Sequence, residues 1–168
     1  QRVSMGGVLV DDIDILLFDE PLAKLDPATG KHTIELIDRI CKSEKVTTII
    51  IEHRLEDVLW RDVDRVVVVN DGRIVADERP DDLLSTDLLP ELGVREPLYV
   101  SAIKHAGCKI QAEDHPSHIE TMNVAPYKDA VEQWFQSTVI KKAEPGQETV
   151  LAVENLSFAY DENEPVLS

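Results

Sequence analysis

Short apolar runs rich in branched residues, arranged around one capped helix, set the limits on what this chain folds into. Ile13 to Phe18 is broken only by Asp14, and Val46 to Ile51 and Val66 to Val69 follow it. Their length and β-branched content predict strands buried on both faces of a sheet. Between the first two, Asp26 is placed to cap the N–H groups of a helical turn, and Pro27 sits where a missing N–H costs nothing. Ile34, Ile37 and Cys41, with Leu36 and Ile40, give that helix an apolar face. Strand, helix and strand in this order make a crossover unit of a parallel sheet. Asn70-Asp71-Gly72 then signals a hairpin, with Arg73 to Ala76 returning as an antiparallel strand. Residues 1 to about 78 are therefore expected to form part of an α/β domain.

Composition removes several function classes. Of the 168 residues, 17 are Lys or Arg and 33 are Asp or Glu, a formal net charge of −16. A phosphate backbone repels such a chain, so nucleic acid is not an expected partner. With 43% hydrophobic and 30% charged residues the chain has the apolar surface for a core, unlike an acidic disordered tail. Cys41 and Cys108 are the only cysteines, too few for a disulfide scaffold or a zinc ribbon, which fits a reducing, cytosolic setting. No apolar run reaches the roughly 18 residues of a membrane span. The first residue is Gln1 rather than Met, and a piece of a longer protein is expected.

From Pro80 the texture changes. Asp82 to Leu84 and Leu88 to Leu92 read as short helices separated by Pro and Gly, and Tyr99 to Ala106 and Tyr127 to Phe135 carry weaker helical periodicity. Glu113 to Glu120 reads as a loop in which His115 and His118 are metal ligands by type but lack the partners a metal site needs. Lys141 to Gln147 reads as a linker, and Val150 to Tyr160 as a fresh strand followed by an acidic turn from Asp161 to Pro165.

Chemistry concentrates in Ile15-Leu16-Leu17-Phe18-Asp19-Glu20-Pro21. An apolar strand that ends in two adjacent carboxylates suits nucleotide hydrolysis: Asp19 is delivered to a Mg²⁺ shell and Glu20 faces the attacking water. Successive strand positions point to opposite sides, so the two acids can serve different roles. Leu25-Asp26-Pro27 places a further carboxylate at a helix start, and His53 lies just past the second strand. If the two strands are neighbours in a parallel sheet, Glu20 and His53 emerge at the same carboxyl edge, where ligands of open α/β sheets bind. A histidine there can hydrogen-bond a γ-phosphate and orient the water.

These residues resemble the nucleotide-binding cassettes of ABC transporters. Phe18-Asp19-Glu20-Pro21 is similar to the Walker B segment with its catalytic glutamate, Leu25-Asp26-Pro27 to the D-loop, and Glu52-His53 to the switch histidine. Gln1-Arg2-Val3-Ser4-Met5 resembles the helix entered by the LSGGQ signature, with Gln1 either the signature glutamine or the one that follows it. The hairpin Asp71-Gly72-Arg73-Ile74-Val75 also has its counterpart in such cassettes. Lys24 departs from the small or amide residue usual in the family, which bears on cassette pairing. Leu92 to Val100 is similar to the segment after the first cassette in tandem-cassette ATPases of the energy-coupling-factor (cobalt and vitamin) type. Val153 to Tyr160 looks like the opening of a second cassette, with Tyr160 at the adenine-stacking position.

The resemblance implies a partial P-loop NTPase sheet with helices over residues 1–79, a mixed helical and loop region over 80–148, and one strand of a second cassette over 149–168. It implies ATP and Mg²⁺ as cofactors, with Glu20 and His53 catalytic, Asp19 on the metal, and Gln1, Asp26 and Tyr160 on the nucleotide. Membrane transporter subunits and the pairing of two cassettes are the implied partners, at the cytoplasmic face of the membrane. No G-x-x-x-x-G-K-S/T phosphate loop occurs in the sequence, so the piece alone is expected to be inactive. The leading reading is an ATPase that powers import of a small nutrient. A ribosome-acting tandem-cassette ATPase would need a basic inter-cassette region, whereas residues 80–150 are net acidic. A chromosome-maintenance ATPase would bring long heptad repeats, which are missing from the sequence. A non-catalytic docking or regulatory role for residues 80–150 is the remaining alternative.

Overall fold

The computed structural model describes residues 14–23, 25–138, 151–161 and 164–167. They fall in two compact units, residues 1–137 and 138–168, each taken by itself.

In the first unit, strand β1 (Ile15–Asp19) leads through a turn to helix α1 (Pro27–Glu44), and the chain returns as strand β2 (Thr47–Ile51). The two strands pair in parallel, Ile15 against Thr47 through Asp19 against Ile51, so the expected crossover unit forms. Helix α1 begins where the sequence places it: Asp26 is extended, and one of its carboxylate oxygens accepts the N–H groups of Ala28 and Thr29 at 3.1 Å each. It ends at Lys45, which adopts the left-handed conformation, φ 55°. Leu22, Ile34 and Ile37 form the core under the helix, flanked by Phe18, Cys41, Ile50 and Val58. Burying one such Leu or Ile side chain is worth about 1.5–3 kcal/mol, so a charge at Ile37 would undock α1 from the sheet.

Two expectations about the sheet are corrected. The strands are not buried on both faces: Leu16, Phe18, Thr48 and Ile50 face the covered side, whereas Ile15, Leu17, Ile49 and Ile51 are exposed. Helix α1 supplies one covering layer, and among the described residues no second layer lies on the other side. Val66 to Val69 is not a third strand of this sheet. It belongs to strand β3 (Val66–Asn70), which pairs antiparallel with strand β4 (Arg73–Glu78) in a separate two-stranded sheet. Of its valines, Val68 is buried, while Val67 and Val69 are exposed. The hairpin turn itself is as expected, with Asp71 and Gly72 both at positive φ, 48° and 72°, as a tight two-residue turn requires.

Between β2 and β3 lies a single helical turn, α2 (Leu55–Val58). Beyond β4 come α3 (Pro80–Leu84), α4 (Leu88–Glu91), α5 (Leu98–His105), two 3₁₀ turns at Ala112–Asp114 and Ala125–Tyr127, and α6 (Lys128–Ser137). They wrap a second core of Leu83, Leu84, Leu89, Val100, Ile103, Ile110, Met122 and Tyr127, which Leu59 and Val68 join. An ion pair is folded into this region: Lys104 on α5 reaches the Glu96 carboxylate at 2.5 Å and also donates to the carbonyl of Thr86. Glu56 on α2 accepts the first N–H of α5, from Leu98, at 3.2 Å. That contact satisfies a helix-end donor that no local side chain caps.

In the second unit, strand β5 (Phe158–Asp161) pairs antiparallel with strand β6 (Glu164–Leu167). A single strand over 149–168 is therefore replaced by a hairpin, and the residues from 151 to 157 are not strand. The stretch expected to be an acidic turn, Asp161 to Pro165, holds the last residue of β5 and the first two of β6. Its Pro165 is tolerated because the pairing register is irregular there, and a proline has no N–H to give to a regular ladder.

Candidate functional site

The parallel register carries the chain directly to the site. Asp19 is the last residue of β1, paired with Ile51, and the Glu20 N–H still donates to the Ile51 carbonyl at 2.9 Å. At Glu20 the backbone then swings into the left-handed region, φ 45°, a conformation that costs a non-glycine residue roughly 1–2 kcal/mol. The Glu20 carbonyl accepts the Ala23 N–H at 3.0 Å, closing a tight turn whose Leu22 side chain is fully buried. The strained residue is thus held from both sides, by the β2 ladder behind it and by the anchored turn ahead.

On the neighbouring strand, His53 sits two residues past Ile51. Its Nδ1 lies 3.8 Å from Glu20 Oε1, a charge-pairing distance rather than a hydrogen bond. Both side chains are largely exposed, 70% for His53 and 54% for Glu20. Glu20 and His53, the two residues expected to meet at the carboxyl edge, therefore do meet there. The Asp19 carboxylate is exposed and has no partner among the described residues. It is a hard oxygen donor of the kind Mg²⁺ prefers, and so the donor chemistry fits that ion.

Asp26 is occupied by the start of α1. Hydrogen bonds from Thr29, with that of Ala28 N–H, hold its carboxyl below the usual aspartate range. Gln1 and Lys24 lie outside the described residues, as does the linker reading of Lys141 to Gln147. Tyr160 is placed on strand β5, by its backbone. His115 and His118 turn to different acids, Asp81 at 3.3 Å and Asp62 at 3.2 Å. Among the described residues, no three His, Cys, Asp or Glu side chains gather for a metal.

Sequence reasoning passed over one residue of this edge. The Glu52 side chain is 2% exposed, and both its oxygens are engaged: Oε1 accepts the Leu22 N–H at 3.1 Å, and Oε2 accepts those of His53 at 3.0 Å and Arg54 at 3.2 Å. Strand parity would have found it. Thr48 and Ile50 face α1, so the next residue of that parity is Glu52, on the covered side.

Along nearly all of its length the chain is similar to proteins designated as ABC transporter ATP-binding proteins. More narrowly, residues 86–158 match a family described as "ATP-binding cassette cobalt transporter". A protein of Vibrio vulnificus (strain CMCP6) with the name "Putative ABC transporter ATP-binding protein" is 52% identical over 161 residues, 96% of this chain and 28% of its own length. Proteins carrying the same designation are 48% identical in Clostridium perfringens, over all of this chain and 30% of theirs, and 47% identical in Streptococcus pneumoniae, over 99% and 29%. The chain spans less than a third of the length of these curated relatives. Among the described residues, no helix is long and apolar enough to cross a membrane.

Proposed function

We propose that this chain is a segment of the ATP-binding and hydrolysing subunit of an ABC importer, which drives uptake of a small nutrient, a vitamin or a metal ion. Residues 1–79 supply the back half of a P-loop NTPase cassette, 80–148 a post-cassette region and linker, and 149–168 the start of a second cassette. The full-length subunit sits at the cytoplasmic face of the membrane against transporter subunits, with its two cassettes paired. The observation that carries this reading is the convergence of Glu20 and His53, 3.8 Å apart, at the carboxyl edge of adjacent parallel strands.

In this reading Glu20 takes the proton of the attacking water, and the turn that fixes its backbone sets the direction of that transfer. His53 presents Nε2, the nitrogen not facing Glu20 and Glu52, to the γ-phosphate. Asp19 holds Mg²⁺, which when bound neutralises charge on the phosphates. Asp26 orders the start of α1 beside the nucleotide. Gln1 is either the last residue of the signature that closes over a nucleotide or the one that follows it, and Tyr160 stacks an adenine at the second site. This piece holds no phosphate-cradling loop in its own sequence, and alone it does not turn over ATP.

Transport tests the reading. The full-length subunit is assembled with its membrane partners in vesicles, and ATP-driven uptake of cobalt ion and of a vitamin panel is followed. Loss of uptake with Glu20→Gln is expected. Absence of ATP-driven uptake by the unaltered assembly would remove the importer reading, and uptake by the Glu20→Gln assembly at the unaltered rate would remove Glu20 from the mechanism.

A further inference from the structure

Glu52 is a carboxylic acid buried at the end of an apolar strand, an expensive place for a charge unless every acceptor position is used. Here the acceptors are divided between two chain segments. One oxygen holds Leu22, two residues past Glu20, and the other holds His53 and its neighbour Arg54. The strands on either side are already locked by Glu20 N–H to the Ile51 carbonyl. The side chain therefore bridges the turn that carries Glu20 to the turn that carries His53, with its Oε2 3.7 Å from His53 Nδ1.

From this bridge we infer that Glu52 is a positioning residue for hydrolysis: it sets the spacing between Glu20 and His53 through backbone N–H groups and touches no reacting atom. This rests on the ATPase reading above. A glutamine at the same place has one oxygen and one NH₂. Whichever way the amide turns, it presents a donor to the N–H of Leu22 or to those of His53 and Arg54, so one of the two turns is released while the fold around it is kept. The effect falls on the transition state, where the water and γ-phosphate must be aligned, and little on nucleotide binding, which the phosphate loop governs.

The test uses the full-length protein and follows the part of its ATP turnover that Glu20→Gln abolishes. For Glu52→Gln, kcat is expected to fall at least about 10-fold, with KM for MgATP within about 2-fold and the number of ATP-binding sites unchanged. In a His53→Ala background the same substitution should cost less than about 2-fold, because the residue it positions is gone. A purely structural role would multiply kcat by the same factor in both backgrounds, or reduce the number of binding sites in step. Either result overturns the inference, as does a kcat within about 2-fold of the unaltered protein. Where Glu52→Gln lowers the yield of protein that binds ATP, Glu52→Asp is used instead. It keeps the charge but is one methylene too short to span both turns, and the same non-additivity is expected. If Glu20→Gln itself leaves turnover intact, the ATPase reading falls and the inference falls with it; if only Glu52→Gln is silent, the inference alone falls.

Discussion

Replacing Lys104 by methionine probes the helical region after β4 at its buried ion pair. The ammonium is 14% exposed and the Glu96 carboxylate 3%, at 2.5 Å, with Asp87 a looser third party at 3.4 Å. Methionine fills most of the volume but strands a buried carboxylate and takes the donor from the Thr86 carbonyl. Breaking a buried pair from one side costs about 3–5 kcal/mol. Amide exchange of α5 in the full-length protein reads this loss locally, at Ser101 and Ala106, whose N–H groups bond to Pro97 and Ala102. At about 1.4 kcal/mol per tenfold, exchange there should accelerate roughly 100- to 4,000-fold, in the limit where opening is an equilibrium. Trp134, stacked on His105 with ring centroids 6.3 Å apart, supplies a fluorescence signal one residue from the substitution. The double variant Lys104→Met with Glu96→Leu should recover most of the protection, since an apolar pair of similar volume replaces an ionic one at little cost. A change under tenfold in the single variant, or no recovery in the double, would refute the reasoning.

Asp26→Ala removes the cap of α1 and should speed amide exchange in the first helical turn by a few-fold; unchanged exchange would show that the cap contributes nothing. Tyr99 is pushed up to about 12 by burial and by the charges of Glu56 and Asp81, while its hydroxyl donates to the Pro116 carbonyl at 2.7 Å. A raised value means that the folded form holds the proton the unfolded form releases near pH 10. The stabilisation is therefore complete below about pH 10 and is lost as the pH climbs towards about 12. Alkaline unfolding followed by circular dichroism should show this loss, and Tyr99→Phe should flatten it; an identical profile for the two proteins would contradict the assignment.

How much of this was readable in the sequence depended on how local each signal was. The β1–α1–β2 unit was, because Asp26, Pro27 and the apolar face of α1 are neighbours in sequence and act within a few residues of one another. So was the turn at Asn70 to Gly72, where the residues themselves demand positive φ. The placement of Val66 to Val69 was not: a run of valines states strand propensity and says nothing about which edge it joins. Exposure of Ile15, Leu17, Ile49 and Ile51 was equally hidden, since the pattern of a doubly covered strand is the same whether or not both covers are at hand. The β5–β6 hairpin was missed because Glu164 and Pro165 read as turn residues. Glu52 was quoted only as the neighbour of His53 and given no role of its own, although its parity with Thr48 and Ile50 pointed inward. The pairing of Glu20 with His53, by contrast, followed from one topological assumption, that the two strands are parallel neighbours, and the register bears that assumption out.

Single-turnover hydrolysis of ATP by the full-length protein, with Glu20→Gln beside the unaltered chain, reaches the central claim most directly. Glutamine keeps the shape of glutamate but cannot accept the proton of water, so ATP and Mg²⁺ should bind with nearly unaltered affinity while phosphate release from the site drops by about 100-fold or more. Phosphate release by Glu20→Gln at the rate of the unaltered protein would contradict the account.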